Sequence, residues 1–312
     1  MLRRLVAIVG PTASGKSRIA LELAGRLGGE IVNADSRQIY RGMDIGTAKP
    51  SHEERRKVRH HLYDIVEPPE SYSLALYRRQ ACAAFEDCWS RGTFPWLVGG
   101  TGQYVWGLLE DWQVPEVAPD EDLRARLAAV AEVEGAEALH RRLAGVDPLA
   151  AERIDARNVR RVIRAIEVFE HTGVPISTWQ TKGQPDFDFL LFGIDVPREE
   201  LDRRIDRRVE KMFAVGFVDE VQGLLDGGVA PDAPAMSSIG YSEVVRCLNG
   251  NITQVEALEL TQRATRRLAR RQGQWFRRED SRIAWVYDAD DIDMQANIFT
   301  GACTNTVMRG GR

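Results

Sequence analysis

The chain opens on a short unbroken apolar run, residues 5–9 (LVAIV), the pattern of a strand buried on both faces, and it runs into a glycine. From 16 to 26 the apolar positions Ile19, Leu23 and Leu27 recur at helical spacing. A second strand is predicted over 30–33, ending in Ala34-Asp35-Ser36. A helix follows around 74–89, then a third strand over 95–98 that ends in Gly99-Gly100-Thr101-Gly102. Alternation of this kind predicts a parallel sheet of the α/β class.

The pattern changes at 115–119, a stretch bounded by Pro115 and Pro119. From 120 to about 183 it is helical, rich in Ala, Leu, Arg and Glu, with no strand. A strand signal returns at 189–194, long helices fill 198–225 and 253–277, and 283–287 is a last strand. After Asp288 an acidic run and a Gly-rich end read as a loose tail. The expected layout is therefore an α/β core in two parts, 1–118 and 186–288, interrupted by a helical insertion over 119–185 and followed by a tail over 289–312.

Composition narrows the class. With 44% hydrophobic and 28% charged residues in 312, the chain is long enough for a proper core and too apolar for disorder to dominate. No run approaches the ~20 apolar residues of a membrane helix. The basic start before residues 5–9 imitates a signal peptide, but no small-residue cleavage site follows, so a cytoplasmic protein without membrane contact is expected. Cys82, Cys88, Cys247 and Cys303 form no C-x-x-C pair, and Cys82 and Cys88 point in different directions on their helix. The five histidines, including the adjacent His60 and His61, read as structural. The net charge of −4 does not advertise nucleic-acid binding. Local charge does: Arg263, Arg266, Arg267, Arg270, Arg271, Arg277 and Arg278 form one cluster, and Arg153, Arg157, Arg160, Arg161 and Arg164 another. Taken alone, each is equally well a solvated helix face.

Gly10-Pro11-Thr12-Ala13-Ser14-Gly15-Lys16-Ser17 fits G-x-x-x-x-G-K-[ST] and lies between a strand and a helix, as a phosphate loop must. Its backbone amides and the helix N-terminus suit phosphate oxygens, Lys16 adds a point charge, and the Ser17 hydroxyl suits Mg²⁺. Nucleotide kinases and NTPases use the same cradle, so the loop leaves its ligand open. Those enzymes usually carry a strand ending in Asp for the metal. Here residues 95–98 end in a second glycine turn, which suggests close backbone approach to a ligand, with Thr101 offering a hydroxyl. Asp35 is the acid at a strand end, on the edge where open α/β sheets bind ligands.

Residues 10–17 followed by 35–50 (DSRQIYRGMDIGTAKP) resemble the N-terminal signature of the tRNA dimethylallyltransferases. Further matches are His60-His61-Leu62, residues 99–102, 158–167 (NVRRVIRAIE), 204–212, Gly240-Tyr241, and 266–276 with Arg271-Gln272 and Trp275-Phe276. The resemblance runs in order over nearly the whole chain. It departs at Gln103, at Gln274 and at Ser237-Ser238-Ile239, positions that bear on RNA contact rather than on the reaction. No zinc finger of the kind eukaryotic relatives add at the C-terminus is possible, with Cys303 the one cysteine there.

The resemblance implies a P-loop NTPase-like core and transfer of a dimethylallyl group from its diphosphate to the exocyclic amine of adenosine at tRNA position 37, with Mg²⁺. The diphosphate leaves an allylic carbon, so donors aimed at its oxygens stabilise the transition state. The amides of residues 12–17, Lys16 and Mg²⁺ on Ser17 meet that need, and by resemblance Arg208 is a further clamp. The amine's lone pair is delocalised into the purine, so a carboxylate that takes its proton helps by roughly 10²–10⁴-fold; Asp35 matches that base. Thr101 is expected near the amine or the bridging oxygen. The target base must leave its stack, which makes the insertion the arm for the anticodon stem-loop, with Asn158, Val159, Arg160, Arg161 and Val162 on RNA. Asp35, Ser36, Arg37, Gln38 and Thr101, and Ser237, Ser238, Ile239, Gly240, Tyr241 and Ser242, are the other expected RNA-facing residues. A monomer is expected. The rivals are a P-loop kinase of a small metabolite, a prenyltransferase acting on free adenine nucleotides, and a non-catalytic RNA-binding protein.

Overall fold

The computed structural model describes residues 3–179 and 181–300, except the side chain of Thr300. One six-stranded sheet organises the core: β1 (Arg4–Val9), β2 (Glu30–Asn33), β3 (His60–His61), β4 (Pro95–Gly99), β5 (Asp188–Ile194) and β6 (Ala284–Val286). The order is β3-β2-β4-β1-β5-β6 and every pairing is parallel. Parallel strands need crossovers, and helices supply them. In chain order the helices are α1 (Lys16–Leu27), α2 (His52–Lys57), α3 (Leu74–Ser90), α4 (Gly102–Leu109), α5 (Glu121–Val133), α6 (Ala136–Val146), α7 (Pro148–Arg153), α8 (Val159–Thr172), α9 (Ile176–Trp179), α10 (Arg198–Ala214), α11 (Phe217–Asp226), α12 (Tyr241–Leu248), α13 (Gln254–Trp275) and α14 (Asp290–Thr300). None is long and apolar enough to cross a membrane.

The chain divides into two compact units, residues 110–185 with 74–76, and the remainder. In the larger unit Val6, Ile8, Ile31, Trp96, Val98 and Phe192 of the sheet pack on Ile19, Leu23 and Ala24 of α1. Ile292 and Ala296 of α14 belong to the same core. The expectation of a loose tail after Asp288 is therefore corrected: Asp290, Asp291 and Asp293 sit in the first turn of a packed helix, where acids complement the positive end of the helix dipole. The rest of that tail, with Cys303, lies outside the described residues. A second core of this unit gathers Ile39, Met43, Phe213, Phe217, Met236 and Tyr241.

The smaller unit is all-helical, α5 to α9, around Leu127, Leu139, Leu143, Val162 and Ile166. It begins at Glu110, ahead of the proline stretch that marks the shift in the sequence. Its ingoing and outgoing segments run side by side, with Gln113 N donating to Thr181 O (3.0 Å) and Gly183 N to Glu110 O (3.0 Å). Glu167 of α8 is fully buried, bonded by Arg124 Nε (2.8 Å), Arg164 Nη1 (2.6 Å) and Asp120 N (2.9 Å). Burial alone would raise its carboxyl, but these partners hold it below the usual range.

Candidate active site

β4 lies between β2 and β1, so the C-terminal ends of three adjacent strands carry Asp35, the Gly99–Gly102 turn and the phosphate loop side by side. The loop leaves β1 through Gly10 and enters α1 at Gly15, whose φ of 96° suits glycine. No side chain caps α1, so its terminal amides are open to an anion. The Thr12 amide is not: it donates to Gln272 Oε1 (2.8 Å), and the Ser14 amide donates to Pro11 O (3.2 Å). The expected run of donors from 12 to 17 thus reduces to Ala13, Gly15, Lys16 and Ser17. Ser14 is buried, and its hydroxyl has no partner among the described residues. Ser17 is exposed on the first turn of α1.

Lys16 is buried, and burial brings its ammonium down to about 8, with Asp35 pulling it up and Arg208 pushing it down. Arg208 is also lowered from its ordinary value by burial, against the charge of Asp35. Two arginines of α10 reach these loops: the exposed Arg204, which also pairs with Glu200, donates to Ser14 O (3.4 Å), and Arg208, one turn on and partly buried, to Thr47 O (3.3 Å). Lys16, Asp35 and Arg208 therefore share one electrostatic site.

Asp35 is held by a residue that the strand pattern alone did not single out. Asn33, fully buried, accepts from Asp35 N (2.9 Å) and donates to Asp35 O (3.1 Å) and Leu62 O (2.9 Å). Asp35 Oδ1 takes the Arg37 amide (2.9 Å), and Oδ2 makes no hydrogen bond among the described residues. A polar residue ending a buried strand just before an acid was the available signal. Thr101 Oγ1 accepts from Ser36 N (2.9 Å) and donates to Ser36 Oγ (3.3 Å), which leaves one lone pair open.

The second glycine turn was read as an approach to a ligand; its glycines instead make room for protein. A Cβ on Gly99 would lie 2.1 Å from Ala34 O, one on Gly100 2.4 Å from Gln272 Nε2, and one on Gly102 2.2 Å from Trp275 Cγ.

The residues expected on RNA divide sharply. Arg37 donates to Pro234 O (3.4 Å) and Ser237 Oγ (3.5 Å), bringing two of the expected segments together. Ser237 and Ser242 are exposed and Ile239 is half-buried. Gln38 instead spends its amide on Thr47 O (3.0 Å) and Ala48 O (3.1 Å) inside the protein. Ser238, Gly240 and Tyr241 are buried, the tyrosine donating to Glu220 (2.6 Å). Side-chain contact with RNA from Gln38, Ser238 or Tyr241 is corrected accordingly. Glu220 also accepts from the amides of Asp44 (2.8 Å), Ile45 (2.6 Å) and Gly46 (3.1 Å) and so fixes the loop leading to Thr47. In the helical unit Asn158 caps α8 through the Arg161 amide, Val159 is half-buried, Arg160 and Arg161 are exposed, and Val162 is core rather than surface. Of the other basic cluster, Arg267, Arg270, Arg271 and Arg277 are exposed, while Arg266 and Arg278 pair with Asp206 and Asp195.

Away from this edge, Glu30, His61 and Cys88 converge, with Glu30 Oε2 2.7 Å from His61 Nε2. Arg91 takes both Glu30 oxygens, and burial pushes the Cys88 thiol up to about 12, so the cluster is a satisfied ion-pair network around a neutral thiol.

Comparison with known proteins decides the family. The IPP transferase model matches residues 38–279, and an isopentenyl transferase model matches 3–65. The chain belongs to the IPP transferase family. A tRNA dimethylallyltransferase of Geobacter sulfurreducens is 51% identical over 298 residues, 95% of each chain. One of Thermomicrobium roseum is 50% identical over 284 residues, 91% of this chain and 86% of that one. Among solved structures, the full-length tRNA isopentenylpyrophosphate transferase of Bacillus halodurans superposes with a TM-score of 0.69, 40% identity and 98% of each chain covered. A eukaryotic dimethylallyltransferase acting on tRNA gives a TM-score of 0.77 at 26% identity, over 96% of this chain and 77% of that one. As an IPP transferase the chain is a prenyltransferase on a P-loop NTPase-like core.

Proposed function

We propose that this protein transfers a dimethylallyl group from dimethylallyl diphosphate to the exocyclic amine of adenosine 37 in tRNA, releasing diphosphate. The observation that carries the reading is the convergence of Lys16, Arg208 and Asp35 where β1, β4 and β2 end. Two cations and an open helix N-terminus suit a departing diphosphate; a carboxylate beside them suits the proton of the attacking amine.

In this mechanism the amides of Ala13, Gly15, Lys16 and Ser17, with the partnerless Ser14 hydroxyl, bind the diphosphate oxygens. Lys16 and Arg208 meet the charge that grows as the bond from allylic carbon to oxygen breaks. The amine's lone pair forms the new bond to that carbon, and Asp35 Oδ2 takes the amine proton. Mg²⁺ fits this site as a substrate-borne ion: the Ser17 hydroxyl is exposed at the loop, and Mg²⁺ keeps most of its shell from water and phosphate. It would neutralise charge on the leaving diphosphate. Thr101, bonded to Ser36, sets the backbone beside Asp35 and keeps a lone pair for the amine. Arg37 and Ser237 face the acceptor base, and the exposed arginines of α8 and α13 take RNA phosphates. The protein works as a monomer in the cytoplasm.

The reading is tested by the products. With Mg²⁺, dimethylallyl diphosphate, ATP and an anticodon stem-loop, diphosphate should appear only when RNA and the prenyl donor are both present, and ATP should persist. RNA-independent ADP formation would return the chain to the kinases.

A further inference from the structure

Gln272 is a buried amide near the end of α13, with the exposed Arg270, Arg271, Gly273 and Gln274 around it in sequence. Its two ends are committed to two different loops: Oε1 accepts from Thr12 N in the phosphate loop (2.8 Å), and Nε2 donates to Gly100 O in the second glycine turn (3.0 Å). The partners fix the orientation, because an amide N–H needs the oxygen and a carbonyl needs the NH₂. Gly100 has no room for a Cβ against this side chain. The turn continues from Gly100 to Thr101, which holds Ser36 next to Asp35.

We propose that Gln272 is a positioning residue that ties the diphosphate loop to the turn beside the proton acceptor, setting donor and acceptor sites at one fixed separation. The inference rests on the transferase reading. Both ends of the Gln272 amide are spent on backbone groups, so it acts through the two loops. Its loss would leave a part-buried N–H and a buried carbonyl without these partners, and both loops would relax. A small misplacement of the reacting groups lowers turnover more than binding.

The experiment uses two variants of the full chain, assayed for transfer to the stem-loop. Gln272→Met removes both bonds at similar length and without charge. Gln272→Glu keeps the acceptor, but while ionised it sets an oxygen against the Gly100 carbonyl; once protonated it regains the donor. Each variant is read as a ratio to the unaltered enzyme at the same pH. The charged groups on the surrounding elements, Lys16, Asp35, Arg204, Arg208 and Arg271, are common to both proteins and divide out of that ratio to first order. The Met variant should lose roughly tenfold or more in kcat at every pH, with a smaller change in KM for the donor. The Glu variant should show a similar loss at pH 8 and recover severalfold at pH 6. A Met variant with unchanged kcat and KM, or a Glu variant whose ratio is flat with pH, would overturn the proposal. Should the Met variant fail to fold, the pH response of the Glu variant still decides. An unaltered enzyme that transfers nothing to RNA would reject the transferase reading instead, a separable result.

Discussion

Lys16 carries its charge in a place that resists it. Burial lowers the ammonium to about 8, so in the free enzyme it is protonated below that pH and neutral above it. A bound diphosphate adds negative charge and favours the protonated form. The expected outcome is that kcat/KM for dimethylallyl diphosphate falls as pH rises through about 8, while kcat falls only at higher pH. A kcat/KM flat to pH 9.5 would show that the Lys16 charge does not matter to capture. Asp35 is tested differently. Asp35→Asn keeps the shape and loses the proton acceptor, so turnover should drop by roughly 10²–10⁴-fold while stem-loop and donor affinities change little. Full activity in that variant would remove Asp35 from its role.

At the level of elements, small backbone fits decide where the side chains sit. Glu220 anchors three consecutive amides of the loop running to Thr47, whose carbonyl takes Arg208. Glu220→Ala should cost about 2 kcal/mol and lower the thermal midpoint by a few degrees, with donor affinity falling as Arg208 loses its seat; an unchanged melt and KM would show the loop holds itself. The long strands and helices were legible because each carries an unbroken apolar run or a helical stripe. β3 escaped notice because two residues make no pattern. α4 was hidden behind the glycine turn that opens it, and α14 because acids at a helix start look like an acidic tail. Residues 198–225, read as continuously helical, are α10 and α11, split at Gly216 with φ 102°. At the site, Gly10 to Ser17 and Asp35 were legible from motif and strand end. Asn33, Glu220 and Gln272 had no assigned role, because their partners are backbone groups distant in sequence or hidden in a turn. The same holds for the burial of Val162 and Tyr241, which motif resemblance cannot show.

Across the whole molecule, a net charge of −4 conceals exposed arginines on two helices, Arg160 and Arg161 of α8 and Arg267, Arg270 and Arg271 of α13. These are the groups proposed to meet RNA phosphates. Replacing Arg160 and Arg161 together by alanine should weaken stem-loop binding and lower its log–log salt dependence by roughly 1.5, taking about 0.7 to 0.9 per contact. KM for the donor should not change, since neither residue belongs to the phosphate loop. An unaltered salt slope would place the RNA elsewhere.

The proposed reaction needs one sheet edge to join a diphosphate cradle to a proton-accepting carboxylate for a particular tRNA adenosine. The most direct test offers the protein Mg²⁺ and labelled dimethylallyl diphosphate with three acceptors: an anticodon stem-loop with adenosine 37, the same loop with guanosine there, and AMP. Label should appear on the first alone. Label on AMP but not on RNA, or equal label on both loops, would contradict it.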